Sequence, residues 1–285
     1  MSERGSPSLR RTRLGRELRR LRESVGLLGD DVAARLKWSA AKVSRIENAK
    51  TFPTEKDVED LLRLYSADRN VRQQLLELRR GALQKGWWEE YRGALPPTVL
   101  DLVDREAEAS LVRNWEPQVI PGLLQTRDYA YALMAAMQPI VQIPRIWVEQ
   151  RVVARMARQQ HLLNGSQPLH LITVIEESVL RRQFGDTHVM REQLDHLVKV
   201  SKLEHVELRI LAQDTPLPIP TGPFLHLKFP DFPDTVYLEE FFGARFVEDV
   251  EQVYAYERAF DHLLRISLDE AASQQLIRTI SERWQ

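Results

Sequence analysis

Between residues 39 and 50, polar, cationic and small side chains have the types and spacing needed to bind duplex DNA. The candidate contacts are Ser39, Ala40, Ala41, Lys42, Ser44, Arg45, Asn48 and Lys50. Arg45 carries a planar guanidinium whose two parallel donors match guanine in the major groove, the commonest base-specific contact. Lys42, Asn48 and Lys50 suit phosphate oxygens. The two alanines let a helix approach base edges closely.

No comparable pattern for catalysis or metal binding occurs. The chain has no cysteine, which excludes disulfides, a cysteine nucleophile and thiolate-bound metal. Glu176 and Glu177 are adjacent at a predicted strand end and point to opposite faces. Ser178 and Ser201 lack a nucleophile-elbow context, and no glycine-rich phosphate loop is present. Five histidines are not spaced as a metal site: His161, His170, His188, His196 and His205. We expect neither an enzyme nor a cofactor.

The candidate contacts need a helical scaffold, and the surrounding sequence predicts one. Hydrophobic residues from Leu14 to Val25 recur every three or four positions, which is typical of one helix face. A short second helix follows, with Asp30 and Asp31 in its first turn, where acidic side chains favour the helix dipole. Ser39 is a typical N-cap of a third helix over residues 39–48. Two further helices are predicted from residue 53 to about 65 and from 69 to 83.

The second and third helices are separated only by Lys37 and Trp38, which is the geometry of a helix-turn-helix. Val43 and Ile46 are three residues apart and must face the core. The candidate contacts therefore lie on the open side of the third helix. A helical bundle that binds protein through the same face is the alternative.

Charge is divided unevenly along the chain. Residues 1–50 carry thirteen Lys and Arg against six Asp and Glu, a net charge of +7, whereas the remainder carries 27 against 35, a net charge of −8. Such asymmetry indicates a basic segment that meets a polyanion. A solvated arginine-rich face is the other interpretation.

Residues 14–65 resemble the Cro/C1-type helix-turn-helix domain of XRE transcriptional regulators. The run from Lys42 to Asn48 carries most of the resemblance, together with Gly26-Leu27, Val32-Ala33, Leu36 and Ser39. The resemblance implies a five-helix, lambda-repressor-like bundle that reads bases through Ala40, Ala41 and Arg45. It implies that Ser39, Lys42, Ser44 and Asn48 support the helix or touch the DNA backbone, and that Arg22 pairs with Glu47 to orient it.

Two positions depart from the family pattern. Gly29 stands where the family often has a glutamine that contacts phosphate, so that contact is in question. Lys37 stands where the turn often has glycine, so it must adopt an uncommon backbone conformation or a different turn. Lys37 can instead add a phosphate contact.

The rest of the chain predicts a mixed α+β domain, so the fold class is mainly α with an α+β C-terminal domain. We divide the chain into a helix-turn-helix domain at 9–83, a junction at 84–97 and the mixed domain at 98–285. Predicted helices cover residues 98–113, 126–137, 148–163, 189–202, 248–265 and 269–284. Predicted strands cover residues 169–175, 206–211, 224–229, 235–239 and 244–247, the last two paired about Phe241-Phe242-Gly243.

Residues 98–285 resemble the large C-terminal domain of actinobacterial XRE regulators, most specifically in the run from Pro121 to Thr126. Such regulators are similar to antitoxin-like components, so the resemblance implies a possible small protein partner. One short recognition helix reads too few base pairs to be selective alone, which predicts a homodimer on a palindromic operator. The alternative function is an antitoxin-like protein whose C-terminal domain binds the small partner and whose DNA binding is autoregulatory.

Three observations concern location and surface. No apolar run approaches the ~18–20 residues of a membrane span, and no secretory signal is recognisable, so we expect a cytoplasmic protein. Residues Met1 to Pro7 are predicted to be disordered. The proline-rich loop from Asp214 to Pro223 is a stiff connection or, alternatively, a lid or docking edge.

Overall fold

The computed structural model describes residues 6–165, 167–216, 221–240 and 243–284. The chain divides into two compact units that meet in sequence between Trp87 and Trp88. We describe the N-terminal and C-terminal units separately. The predicted disorder of Met1 to Pro7 was wrong for Ser6 and Pro7, because Ser6 caps α1 and Pro7 is its first residue. Residues 1–5 lie outside the described residues, as do residues 217–220 of the proline-rich loop and residues 241–242 of the last hairpin.

The N-terminal unit is a bundle of five helices, which confirms the predicted fold. They are α1 (Pro7–Ser24), α2 (Gly29–Leu36), α3 (Ala40–Glu47), α4 (Glu55–Leu64) and α5 (Arg69–Gly81). Side-chain caps set where several of them begin. Thr54 and Asp57 form a reciprocal capping box at α4, and Asp68 accepts from the Asn70 and Val71 N–H groups at α5. These caps satisfy backbone donors that have no partner inside the helix.

The core of this unit follows the predicted periodicity. Leu14 and Leu18 of α1 are buried, and they pack in one cluster with Val43 and Ile46 of α3. Residues from α2, α4 and α5 complete that cluster. Burial of this shared apolar face fixes α3 against the other helices.

The C-terminal unit contains a six-stranded sheet and seven α-helices among its described residues. The strands are β1 (Leu111–Glu116), β2 (His170–Glu176), β3 (Val206–Leu211), β4 (Phe224–Lys228), β5 (Thr235–Glu240) and β6 (Gly243–Val247). The helices are α6 (Pro97–Glu106), α7 (Arg127–Ala136), α8 (Arg145–Leu163), α9 (Glu177–Arg181), α10 (Thr187–Val200), α11 (Val250–Ile266) and α12 (Glu270–Ser281). The predicted α+β domain is therefore confirmed.

The sheet is mixed, with strand order β3-β2-β1-β4-β5-β6. β1 runs parallel to β2, and β2 runs parallel to β3, with helices in both crossovers. β4, β5 and β6 add antiparallel strands on the other side of β1. Trp115 of β1 and Phe224 of β4 pack with Phe260 of α11 in one buried cluster on one face of the sheet. The hairpin predicted between residues 235 and 247 is confirmed by the pairing of β5 with β6.

One prediction for the C-terminal unit was wrong, and one short helix was not predicted. The helix predicted over residues 98–113 ends at Glu106, and residues 111–116 form the strand β1 instead. β1 pairs with β2 on one side and with β4 on the other, so tertiary pairing overrides the local helical pattern. The short helix α9, directly after β2, was not predicted.

Candidate nucleic-acid interface

The turn between α2 and α3 is set by one strained residue. Lys37 has a left-handed backbone conformation, with φ 56° and ψ 42°, which is uncommon for a residue with a Cβ. The Trp38 N–H donates to the Ala33 carbonyl at 2.8 Å. The Ser39 hydroxyl then accepts from the Lys42 N–H at 3.2 Å and caps α3. The predicted N-cap and the predicted unusual conformation of Lys37 are both confirmed.

α3 presents its candidate contacts to solvent. The exposed ones are Ser39, Ala40, Ala41, Ser44, Arg45, Asn48 and Lys50, and Lys42 is half-buried. Val43 and Ile46 are each 2% exposed and lie in the core. Among the residues that the structure describes, the Arg45 side chain has no hydrogen-bond or ion-pair partner. The Arg45 guanidinium is therefore free to donate to an external acceptor.

A buried ion pair fixes the C-terminal half of α3 against α1. Arg22 donates to both carboxylate oxygens of Glu47, at 2.7 and 3.0 Å, and to the Leu27 carbonyl at 2.8 Å. Both side chains are about nine-tenths buried. The hydrogen bond to Glu47 raises the pKa of the Arg22 guanidinium despite desolvation. Arg22 and Glu47 orient the helix, as the resemblance implied, and do not face solvent.

α1 also approaches α3 closely at a glycine. A Cβ atom built on Gly15 would lie 2.5 Å from the Glu47 carbonyl oxygen and 2.8 Å from the Ile46 carbonyl oxygen. No side chain can be accommodated at that distance without displacing one of the two helices. Gly15 is therefore a positioning residue for α3 that the sequence pattern did not reveal, because it looks like any other glycine in a helix.

Lys42 has intramolecular partners. Its ammonium group donates to Asp57 Oδ1 at 2.5 Å and lies 3.8 Å from the centre of the Trp38 ring. Desolvation opposes ionisation of Asp57, but hydrogen bonds from Lys42 and Thr54 still lower the pKa of its carboxyl. Lys42 thus links α3 to the N-terminus of α4. Asp57 could be predicted as a capping residue from the spacing Thr54-x-x-Asp57, but nothing in the sequence indicated its contact with Lys42.

The end of α3 is closed by local hydrogen bonds. The Asn48 side-chain amide donates to the Ser44 carbonyl at 2.8 Å. Ala49 has a positive φ of 54°, and the Lys50 N–H donates to the Arg45 carbonyl at 2.8 Å, a Schellman-type ending. This reversal places Lys50 just beyond the helix, with its side chain exposed.

Two family models match separate parts of the chain. Residues 99–279, more than half of the chain, match the model of a domain of unknown function, DUF5753. The chain belongs to the DUF5753 family. Residues 13–75 match a helix-turn-helix domain, and this domain supports a DNA-binding regulator. A search of curated proteins found no match, and a search of solved structures found none either.

In the DUF5753 domain, the run from Pro121 to Thr126 is held by side chains of α8 and α10. The Gln125 side-chain oxygen accepts from Arg155, and Gln159 donates to the Gly122 and Gln125 carbonyls at 2.9 and 2.8 Å. Gln193 accepts from the Thr126 N–H at 2.7 Å. These contacts give the distinctive run a structural role at the carboxyl end of β1.

One carboxyl group of the DUF5753 domain is buried at that position. Glu116 ends β1 and is 7% exposed. Its Oε2 atom has no hydrogen-bond partner in the described ranges. Burial, reinforced by the Glu239 carboxylate and opposed by Arg155, raises the pKa of Glu116 to about 8. No sequence signal indicated this group, because the strand that buries it was itself not predicted.

Two further observations bear on the DUF5753 chain. Across residues 6–165, 167–216, 221–240 and 243–284, no three metal-ligating side chains converge. Within the same described ranges, every helix is too short or too polar to cross a bilayer.

Proposed function

We propose that this chain is a sequence-specific transcriptional regulator that binds an operator as a homodimer through α3. The exposed, unpaired Arg45 on the outward face of a rigidly held helix carries the proposal. The DUF5753 domain mediates dimerisation and senses a signal or binds a partner. The chain has no enzymatic activity. It acts in the cytoplasm.

The roles of the contacts follow from chemistry and position. Arg45 donates to guanine O6 and N7, while Ala40 and Ala41 allow close approach to base edges. Ser39, Ser44, Asn48 and Lys50 contact the sugar-phosphate backbone and set the register. The Arg22–Glu47 pair and Gly15 keep α3 in position. This preorganisation reduces the ordering cost of binding.

The experiment that tests the proposal is a selection of bound duplexes from a random library, using the full chain. Affinity for the selected operator and for a scrambled duplex is then measured for the wild type and for Arg45→Ala. We expect Arg45→Ala to lose about 1–3 kcal/mol of operator affinity, roughly 5- to 150-fold, with little effect on scrambled DNA.

Arg69→Ala is the matched control, because Arg69 is also exposed but lies at the start of α5. It should leave discrimination unchanged. An equal loss on both duplexes with Arg45→Ala would contradict base reading by Arg45. Failure to enrich any sequence would contradict the proposed function itself.

A further inference from the structure

Two carboxyl groups of the DUF5753 domain lie on one face of the sheet, at the same end. Glu116 is the last residue of β1, and Glu239 is the last but one of β5. Trp115 pairs with Phe224, and Phe224 pairs with Leu238. Glu116 and Glu239 therefore each lie one residue past this row and share the opposite face. The strand between them, β4, begins only at Phe224, so among the described strands no paired residue separates the two.

This end of the sheet is a place where ligands bind in many open sheets. The chain adds β2 and β3 on one side of β1 and then β4 to β6 on the other, so the strand order reverses at β1. Ligand sites of open α/β sheets lie outside the carboxyl ends of the strands at such a reversal. Gly222 precedes β4 here, and a Cβ atom built on it meets nothing within 4 Å in the described part of the chain. Free space therefore adjoins the start of β4.

The charges around this end of the sheet are unequal. Arg158 of α8 is occupied, because it donates to both carboxylate oxygens of Glu106 at 2.7 and 2.5 Å. Arg155, one turn earlier on α8, interacts electrostatically with both Glu116 and Glu239. Two carboxyl groups therefore share one guanidinium.

Glu116 also has hydrogen-bonding capacity that the described chain does not use. Its side chain is 7% exposed, and its Oε2 atom has no hydrogen-bond partner in the described ranges. Glu239 is exposed and makes no hydrogen bond or ion pair within the same ranges. A buried acceptor without a partner is costly, and native proteins rarely contain one. A donor placed between Glu116 and Glu239 would satisfy both.

Two buried tyrosines lie near the two carboxyl groups. Burial raises the pKa of Tyr129 to about 12, and Glu116 contributes to that shift. Burial and the Glu239 carboxylate raise the pKa of Tyr237, which lies on the same face of β5 as Glu239. Aromatic rings attract organic cations. Carboxyl groups in excess, together with aromatic neighbours, favour an organic cation over an anion.

We propose that the space bounded by Glu116, Glu239, Arg155, Tyr129 and Tyr237 binds a small organic cation through a primary ammonium group. The ammonium donates to Glu116 Oε2 and to the Glu239 carboxylate, and its charge balances the second carboxyl group. We call these five residues the cation site. Its use as the signal input of the DUF5753 domain rests on the proposed function.

Binding at the cation site should release one proton. Burial raises the pKa of Glu116 to about 8, with Glu239 adding to the shift and Arg155 opposing it, so the free chain holds a proton there at neutral pH. An ammonium ion binds the ionised carboxylate and displaces that proton. Tyr129 and Arg155, with pKa values of about 12 and 10, do not titrate in this range. Affinity should therefore rise roughly 10-fold from pH 6 to pH 7.

The test is isothermal titration calorimetry of the full chain without DNA, with n-butylammonium as the probe. We expect one site per chain and the stated pH dependence. Tetramethylammonium is the matched control ligand, because it carries the same charge but has no N–H donor. It should not bind at the concentrations at which n-butylammonium does.

Three variants assign the heat of binding to the site. Glu116→Gln should lower the affinity at pH 8 roughly 10-fold or more, the loss expected for a charge-assisted hydrogen bond, and should abolish the pH dependence. Glu239→Gln should lower the affinity but keep a pH dependence. Glu204→Gln, at an exposed glutamate before β3, is the matched control and should bind as the wild type does.

Each other outcome overturns the proposal. These outcomes are no binding of n-butylammonium at millimolar concentrations, equal binding of tetramethylammonium, an affinity that does not change with pH, and wild-type affinity in Glu116→Gln. Binding of Mg²⁺ in place of the amine also overturns it. Both site variants should retain wild-type near-ultraviolet circular dichroism, and Glu239→Gln decides if Glu116→Gln does not fold.

Failure of the cation site and failure of DNA binding are distinguishable. Arg45→Ala should bind n-butylammonium as the wild type does. A chain that binds the cation but selects no DNA sequence contradicts the proposed function and leaves the site standing. If the site is the signal input, n-butylammonium should change the operator affinity of the wild type and not that of Glu116→Gln. An unchanged operator affinity in the wild type contradicts that use.

Discussion

Arg45 and Lys42 lie three residues apart on α3, and the structure gives them different surroundings. Arg45 is exposed and unpaired within the described residues, whereas Lys42 is held by Asp57 and Trp38. The exposure of Arg45 could be predicted, because Val43 and Ile46 fix which face of the helix is buried. The engagement of Lys42 could not, because Asp57 is fifteen residues further along and comes near only through tertiary packing.

Lys42→Met tests which role Lys42 has. The methionine keeps an unbranched apolar side chain but removes the ammonium group, and with it both the ion pair with Asp57 and the cation–π contact with Trp38. If Lys42 positions α3, DNA affinity should fall and the free energy of unfolding should drop by up to ~1 kcal/mol, since the pair is partly exposed. The slope of log affinity against log salt concentration should stay unchanged.

Lys50→Met is the control, because Lys50 is exposed just after α3. Its loss should reduce the salt slope by about 0.9, the value expected for one phosphate contact. A similar reduction for Lys42→Met would show that Lys42 leaves Asp57 and binds phosphate in the complex.

At the scale of elements, the position of α3 depends on a close approach between backbones. The sequence predicted the helices of the N-terminal unit well, because their apolar spacing and caps are local signals. It did not predict that α1 and α3 come together at Gly15. β1 was missed for a similar reason, because its state depends on β2 and β4, which lie far away in the chain.

Gly15→Ala should weaken this contact. The added methyl group would overlap the carbonyl oxygens at the end of α3, so we expect a loss of about 1–3 kcal/mol in the free energy of unfolding. DNA affinity should fall at the same time, because α3 is displaced. Chemical denaturation and binding to the selected operator provide the two measurements.

Gly29→Ala is the matched control, since a Cβ at Gly29 meets nothing within 4 Å. Gly29 begins α2, so alanine there should leave stability unchanged or raise it by up to ~1 kcal/mol. If Gly15→Ala were equally harmless, the close approach would not hold α3 in place.

At the scale of the whole molecule, positive and negative charges are concentrated in different parts of the chain. The basic segment, residues 1–50, contains most of the helix-turn-helix match at residues 13–75, and the acidic remainder contains the whole DUF5753 match at residues 99–279. This division was readable from composition, since it depends on residue counts alone. The burial of Glu116 depends instead on how α8 and the sheet enclose the end of β1, which composition does not encode.

Glu116 makes stability depend on pH. Its folded-state pKa of about 8 lies above the ordinary value of 4.5, so the folded state holds a proton that the unfolded state releases. The contribution of Glu116 to the free energy of unfolding should therefore fall as pH rises from about 4.5 to 8, by up to ~4 kcal/mol.

Glu116→Gln removes this titration. The difference in unfolding free energy between Glu116→Gln and the wild type should grow in favour of the variant between pH 5 and pH 8, as measured by urea denaturation. Glu204→Gln, at an exposed glutamate, should give a difference that is flat across the same range. A flat difference for Glu116→Gln would show that its carboxyl is hydrated in solution.

The pairing of β1 has a consequence for synthesis on the ribosome. Its neighbours β2 and β4 come from residues 170–175 and 224–228. β1 is therefore synthesised well before either of the strands with which it pairs. The N-terminal bundle needs no later residue for its core and can form first. An mRNA truncated before the β4 codons would therefore yield a folded helix-turn-helix domain followed by a strand β1 with one unpaired edge, and such an edge is prone to aggregate.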